Sequence, residues 1–294
     1  MNAKHPGGIA ADNKAFALPL AGTGIGLRSP HVSQILTEKP AIAWLELLAD
    51  NHFAEGGLIA AQLDAICDLY PVTLHSVGLS LGSTADTDRD YLNKLKRIKD
   101  DHCVHWLSDH LCFSSDGGIQ SHDLLPVPFT QQSINTFVDN ISRVQDLWGE
   151  RILVENVSSY ATFKDCEFSE VEFITEIAGR ADCYLLVDIN NLYVNHINHG
   201  TDTRAFINGL PRDRVKEIHL AGHEDHGQYL LDSHNSPVSE AVWALYRQFI
   251  QKHPSTPTLI EWDNNIPALD VLLQEAAQAE KIANHYQAQG RDVA

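Results

Sequence analysis

CYLLVDI, residues Cys183–Ile189, is a short apolar run that closes on a carboxylate, Asp188. An apolar run of this length, bounded by polar residues, reads as a strand buried on both faces, the usual state of a strand in a parallel sheet. Working outward, seven more runs of the same kind occur. They are GTGIGLR (Gly22–Arg28), IAWLELL (Ile42–Leu48), VTLHSV (Val72–Val77), VHWLSDHLCF (Val104–Phe113), ILVENV (Ile152–Val157), VKEIHLA (Val215–Ala221) and TLIEWD (Thr258–Asp263). Longer amphipathic stretches lie between them. Leu58–Tyr70 places Leu63, Ile66, Leu69 and Tyr70 near helical spacing, and Thr130–Leu147 places Phe137, Ile141, Val144 and Leu147 at steps of three and four. Thr130 and Ser169 stand where helices take their N-caps, and Pro267 where a first helical turn tolerates proline.

Strand and helix alternating in this way are successive βα units around a parallel sheet. No linker or shift in composition divides the chain, so the expected fold is α/β, a single (β/α)8 TIM barrel over residues 22–294, preceded by an N-terminal extension, residues 1–21. An open doubly wound sheet is the alternative. It would gather ligands at one switch point, whereas a barrel collects them from the ends of nearly all its strands.

The composition bounds what such a barrel can do. With 44% hydrophobic residues and charge spread along 294 positions, the chain can pack a core and is not disordered. Its formal charge of −18 would repel a phosphate backbone, so nucleic acid is not expected as a partner unless bound cations offset the carboxylates. Cys67, Cys103, Cys112, Cys166 and Cys183 are odd in number, widely spaced and form no C-x-x-C pair. That argues against a disulfide framework or a thiolate zinc site and for a reducing cytoplasm, with Cys112 and Cys183 as core filling. The apolar run Ala15–Leu20 is too brief for a signal segment, and no stretch approaches a membrane span, so no membrane partner is expected.

The polar residues at the strand ends carry the functional signal. His75 ends the third strand, His110 lies in the fourth, Glu155 ends the fifth and Asp188 the sixth, with Asn191 three residues on. His219 lies in the seventh strand, Asp232 and His234 in the loop after it, and Glu261 in the eighth. Any one of these taken singly is more simply a surface or hydrogen-bonded side chain. Together they would meet above the C-terminal rim, where barrels of this kind do their chemistry. Imidazoles and oxygen donors without thiolates suit iron, manganese or zinc, and nine of them imply two or three ions with a carboxylate such as Glu155 bridging. Asp232 and His234 would share one face of an extended segment through its period of two.

Other features are weaker. His223 could be a ligand, a support to one, or a substrate contact; Glu46, Asn51 and His52 are either rim contacts or ordinary loop structure. GTGIGLR reads as tight packing rather than a phosphate cradle, and P-loop and H-E-x-x-H motifs are missing. Glu170 and Glu172 read as a solvated helix face, and Leu79–Asp90 and Tyr193–Thr201 as polar rim loops able to receive a chain.

The segments LHSVGLSLG, SDHLCFS, LVENVSSY, LVDINNLYVN, EIHLAGH, DSHNSPV and LIEWDNNIP together resemble the multinuclear non-haem iron-dependent oxidase family, which includes the methanobactin-synthesis and thiaglutamate-pathway oxidases. The resemblance runs from about Gly22 to the helix after Pro267. It implies a xylose-isomerase-like barrel holding two or three irons as Fe2+ and Fe3+, with O2 as cosubstrate. It also implies a precursor peptide as substrate, oxidised most often at cysteine, and a small accessory protein that recognises that peptide. His75, His110, Glu155, Asp188, Asn191, His219, Asp232, His234 and Glu261 match the metal positions, with Glu155, Asp188 and Asn191 expected to be catalytic. The same order is similar to that of endonuclease IV, a zinc phosphodiesterase, so a metal-dependent hydrolase is the alternative. Where that nuclease has histidine three residues after the aspartate, this chain has Asn191, as in the oxidases.

Overall fold

The computed structural model describes residues 19–116 and 119–291, so most of the N-terminal extension lies outside the described residues. Eight parallel strands close into a barrel: β1 (Thr23–Leu27), β2 (Leu45–Leu48), β3 (Val72–His75), β4 (Val104–His110), β5 (Leu153–Glu155), β6 (Tyr184–Asp188), β7 (Val215–Leu220) and β8 (Thr258–Ile260). Each pairs with its sequence neighbours, and β8 closes on β1 through Thr23↔Thr258 to Ile25↔Ile260. Around them lie α1 (Ser29–Glu38), α2 (Gly57–Cys67), α3 (Arg89–Asp101), α4 (Gln131–Trp148), α5 (Glu170–Arg180), α6 (Ile189–His199), α7 (Thr203–Gly209), α8 (Glu240–Ile250) and α9 (Leu269–Arg291). The open doubly wound alternative is therefore set aside.

Local sequence explains the helices that position the rim. Thr130 caps α4, its Oγ1 accepting from Ser133 N at 3.2 Å, and the Ser169 N–H donates to Glu172 at the start of α5. Pro267 falls two residues before α9, and its carbonyl lies 2.8 Å from His31 Nε2 rather than inside a helical turn. The apolar face of α4 buries Phe137, Ile141 and Val144 completely, and Phe137 meets Phe173 of α5 edge-on at 5.8 Å. At the N-terminal end of the barrel Trp44 and Trp106 pack edge-on at 6.5 Å. Gly24 makes room for them, since a Cβ there would stand 2.5 Å from the Trp44 ring; β1 is indeed tight packing.

Two expectations are corrected. β4 does not run to Phe113: its partner β5 ends at Glu155, whose carbonyl takes the last bond from Leu111 N at 2.9 Å, and the chain leaves the barrel. It then forms an antiparallel hairpin, Phe113–Asp116 with Ile119–Leu125, which places Cys112 between the two elements, buried as expected. Tyr193–Thr201 is mostly helix α6 and not a rim loop, because Asp188 caps that helix directly off β6. Among the described residues no helix is long and apolar enough to cross a membrane.

Phe137→Ala should lower unfolding free energy by about 3–5 kcal/mol, as expected for emptying an aromatic site the surrounding chain cannot refill. A urea titration with a lower midpoint and an unchanged slope would show it; a midpoint at the wild-type value would mean that α4 does not seal the core there.

Candidate metal centre

The barrel register brings the strand-end residues side by side. His110 pairs with Glu155 across β4 and β5, Asp188 with His219 across β6 and β7, and His75 with Ser108 across β3 and β4. Alternation along each strand then turns the same set inward at the C-terminal mouth. His75 and His110 stand edge-on, Nε2 to Nε2 at 3.3 Å, and Glu155 Oε2 is 3.6 Å from the first and 3.3 Å from the second. His219 Nδ1 lies 3.0 Å from Glu261 Oε2 and 3.8 Å from Glu155 Oε1. His234 Nε2 lies 2.7 Å from Asp232 Oδ1, and its Nδ1 3.5 Å from Glu261 Oε2.

Three groups from this set have ligand atoms close enough together to hold an ion: His75 with His110 and Glu155; Glu155 with Asp188 and His219; Asp188 with His234 and Glu261. Glu155 and Asp188 are each shared by two groups, the arrangement a bridged cluster requires. Glu155 Oε2, Asp188 Oδ2 and Asn191 Oδ1 are buried without a hydrogen-bond partner. Unpartnered buried polar atoms are rare because each forfeits its hydration, so several converging on one place fit a cation that would satisfy them. The imidazoles are held from behind. Ser108 Oγ lies 2.8 Å from His75 Nδ1, and Asp263 Oδ2 lies 3.1 Å from His234 Nδ1. Asn156 ties β5 to β6, accepting from Asp188 N and donating to Asp188 O, both at 3.0 Å.

Most of the set is shifted toward holding its protons, while burial lowers His75. Burial pushes Glu155 up to about 8 and Asp188 up to about 7, against the pull of neighbouring imidazoles. Against the opposing effect of burial, Glu155 raises His110 to about 9, and carboxylates hold His219 and His234 well above the ordinary imidazole range. Glu261 goes the other way, held well below the usual carboxylate range by His219 and His234 although burial opposes it. Arg28, buried beside it, reaches Glu261 at 3.4 Å and Asp263 through Nε at 2.9 Å. The metal-free site thus keeps protons that a dry cluster of acids would otherwise lack.

The structure assembles all nine sequence candidates, with differences in how. Asn191 sits in the first turn of α6, its N–H on Asp188 Oδ1 at 2.6 Å and its amide on Asn156 O at 3.0 Å, which points Oδ1 into the site. Asp232 and His234 do meet, but not through a period of two: His234 has φ 46°, left-handed backbone. Gly222, just past β7, permits this by letting the 232–236 loop press against it; a Cβ there would stand 2.0 Å from Ser236 O. His223 lies outside these groups, its Nδ1 2.7 Å from Asn190 Oδ1, while Asn190 Nδ2 donates to Asp232 at 2.8 Å. Asn51 and His52 line a separate small cavity beside α1 and α2. Glu170 is not a solvated face: it is half-buried in an apolar cavity with Phe129 and Phe173, and burial raises it to about 7.

Sequence reasoning missed Arg28, Asp263 and above all Glu217. Glu217, with Glu46 and His219, makes a fourth group close enough to hold an ion, deeper in the barrel. A signal for it exists, because Glu217 lies two residues before an inward histidine on the same strand. The cavity over the cluster, about 240 Å3, is lined by His75, His110, Glu155, Asn191, His234 and Glu261 among others. It shares Val77, Asp123, Leu124, Asp263 and Asn264 with a neighbouring cleft of about 870 Å3.

The structure is a closed parallel (β/α)8 barrel whose C-terminal mouth carries His, Glu and Asp groups that could hold metal ions. The sequence model of the family described as RiPP precursor modification enzyme MbnB/TglH/ChrH matches residues 22–284, and the chain belongs to that family of enzymes acting on ribosomally made, post-translationally modified peptides. A UPF0276 protein of Acaryochloris marina is 48% identical over 261 residues, 89% of this chain and 94% of that protein. Another, from Chromobacterium violaceum, is 44% identical over 259 residues, covering 88% and 94%. Among solved structures, endonuclease IV from Thermus thermophilus superposes with TM-score 0.58 at 14% identity, covering 91% of this chain and 99% of that one. D-psicose 3-epimerase from Clostridium cellulolyticum gives 0.53 at 11% identity, covering 92% and 99%. At such identity the likeness is one of fold, the (β/α)8 barrel.

Two outcomes follow from this geometry. Gly222→Ala should push the 232–236 loop off β7, so metal analysis would find fewer ions per chain while circular dichroism stays that of the wild type. Full metal content would mean the loop adapts. The second concerns pH. Glu155 and His110 have folded pKa values above their unfolded ones, so between about pH 6.5 and 8 the folded state holds protons the unfolded state has lost. Stability of the metal-free protein should then fall as pH rises through that window. A divalent cation should reverse the trend by displacing those protons. Melting temperatures at pH 6.5 and 8, with and without metal, measure it, and a metal-free protein that gains stability with pH would contradict it.

Proposed function

We propose that this chain is a multinuclear non-haem iron-dependent oxidase that uses O2 to modify a residue, cysteine above others, of a ribosomally synthesised precursor peptide. The observation that carries this reading is the convergence of Glu155 Oε2, Asp188 Oδ2 and Asn191 Oδ1, buried and unpartnered, on the mouth of a barrel in a family that modifies such peptides. His75, His110 and Glu155 would hold one iron, Glu155, Asp188 and His219 a second, and Asp188, His234 and Glu261 a third, with Asn191 and Asp232 beside them. When bound, iron supplies redox chemistry with O2 and a Lewis-acidic seat for a thiolate.

The chain's own residues prepare that seat. Ser108 and Asp263 hold His75 and His234 from behind, leaving the opposite nitrogens toward the cluster. Asn191 contributes a neutral oxygen, a weaker donor than imidazole, which lowers the preference for zinc. Arg28 offsets part of the carboxylate charge at Glu261 and Asp263. Tyr160 and Leu124 wall the cavity, and the adjoining cleft, floored by Val77–Ser80, gives an extended chain a way to the cluster. In this reading a small accessory protein delivers the peptide, and the enzyme works in the cytoplasm.

The endonuclease IV fold match favours one rival, a zinc hydrolase, and a single preparation separates the two. Purified under argon and loaded with Fe2+, the protein should bind two or three irons, develop a visible charge-transfer band when a thiol and O2 are added, and consume O2 in an iron-dependent way. Glu155→Gln should lose at least one ion and the O2 uptake. Tight zinc without iron-dependent O2 consumption, together with cleavage of abasic-site DNA, would support the hydrolase instead.

A further inference from the structure

Below the residues that face the cavity lie two carboxylates, Glu46 and Glu217, that have no part in the function above and stand beside His219. Glu46 of β2 is 1% exposed, and Glu217 and His219 of β7 are both 0% exposed. Each carboxylate has one oxygen already engaged: Thr73 Oγ1 donates to Glu46 Oε2 at 3.3 Å, and Trp106 Nε1 donates to Glu217 Oε2 at 2.6 Å. The two remaining oxygens, Glu46 Oε1 and Glu217 Oε1, flank His219 Nε2 at 3.3 and 3.5 Å. Glu217 Oε1 and His219 Nε2 are themselves buried without a completed hydrogen bond. On the opposite edge of the ring, Nδ1 faces Glu261 and Glu155.

A neutral imidazole carries one proton, and the nitrogen that keeps it cannot bind a metal. We infer that Glu46 and Glu217 are positioning residues: by accepting from His219 Nε2–H they fix the tautomer that leaves Nδ1 free toward the cluster. This rests on the proposal that His219 is a metal ligand. The geometry also ranks the two acids. If Glu217 becomes glutamine, its amide must face either Trp106, which can only donate, or His219, which then loses its acceptor. Thr73 can donate or accept, so glutamine at 46 can turn its NH2 toward the hydroxyl and keep its carbonyl on His219.

The test uses zinc titrations of the metal-free full chain against a fluorescent chelator, with the melting temperature of each metal-free variant as a control for folding. Glu217→Gln should weaken zinc binding by roughly 10–100-fold, the usual consequence of losing a partner behind a ligating histidine. Glu46→Gln should do less. Trp106→Phe alone should leave affinity near that of the wild type, and Trp106→Phe combined with Glu217→Gln should recover most of the loss, since the amide can then turn its carbonyl to His219. Wild-type affinity in Glu217→Gln, while His219→Gln loses an ion, would overturn the inference and leave the metal centre standing; His219→Gln retaining every ion would end the metal reading itself. If Glu46→Gln and Glu217→Gln each remove one whole ion, this inner group is itself a cation site and the positioning role is wrong. Should Glu217→Gln not fold, a histidine-selective 15N spectrum of the zinc-loaded wild type decides directly: the His219 proton on Nε2 supports the inference, and on Nδ1 overturns it.

Discussion

The structure is organised around one electrostatic constraint: Glu155, Asp188, Glu217 and Glu46 are buried together with His75, His110 and His219 inside a closed barrel, with little of their surface left to water. Carboxylates in such a place repel one another and lose their hydration, each at a cost of several kcal/mol unless compensated. Among the described residues no lysine or arginine forms an ion pair with this set, and Arg28 pairs with Glu261 and Asp263 at the rim. The remaining compensation comes from protons, which is why Glu155, Asp188 and Glu46 titrate high, as do His110 and His219. Bound cations would take the place of those protons, so the metal-free protein is the strained member of the pair.

The barrel meets this constraint with rigid elements on the inner side and adjustable ones on the outer. His75, His110, Glu155, Asp188 and His219 belong to strands whose neighbours fix their height, and register alone sets His110 against Glu155 and Asp188 against His219. Asp232, His234 and Asp263 come from loops and are placed by other means: the left-handed turn at His234, the close approach at Gly222, and bonds from Asp263 N and Asn264 N to His234 O at 2.8 and 3.2 Å. A strand-borne ligand is displaced only with its strand, whereas a loop-borne one can move alone. The outer group of donors is therefore the part of the cluster able to loosen without unfolding the barrel.

What the sequence discloses follows from the same division. The eight strands are legible because a barrel strand is apolar on both faces, and the strand-end ligands stand out as the polar exceptions at their ends. Glu217 is not legible as a site residue, although periodicity alone turns it inward, because an acid inside a strand ordinarily marks a solvent face. Tyr193–Thr201 reads as a loop because it is polar, yet Asn190, Asn191 and Asn195 are each tied to a neighbouring element and the helix starts on the Asp188 carboxylate. The pairing of Asp232 with His234 is expected from the sequence for a local reason that does not hold, since the left-handed backbone there is imposed by packing against β7, a contact distant in sequence.

Fold likeness extends equally to a nuclease and to sugar epimerases, so the choice among chemistries falls to the donors and to what can reach them. Among the described residues, the cleft leading to the cluster is lined by Asp50, Asp86, Asp88, Asp123 and Asp263, with no lysine or arginine. A phosphodiester approaching along that surface would meet carboxylates in place of the cations that nucleic-acid grooves supply. A peptide carries a neutral backbone that such walls do not repel, and a basic residue on it would be attracted to them. The acidic lining of the cleft therefore weighs against nucleic acid as a substrate, and the weight rests on surface beyond the candidate ligands, which likeness of fold does not constrain.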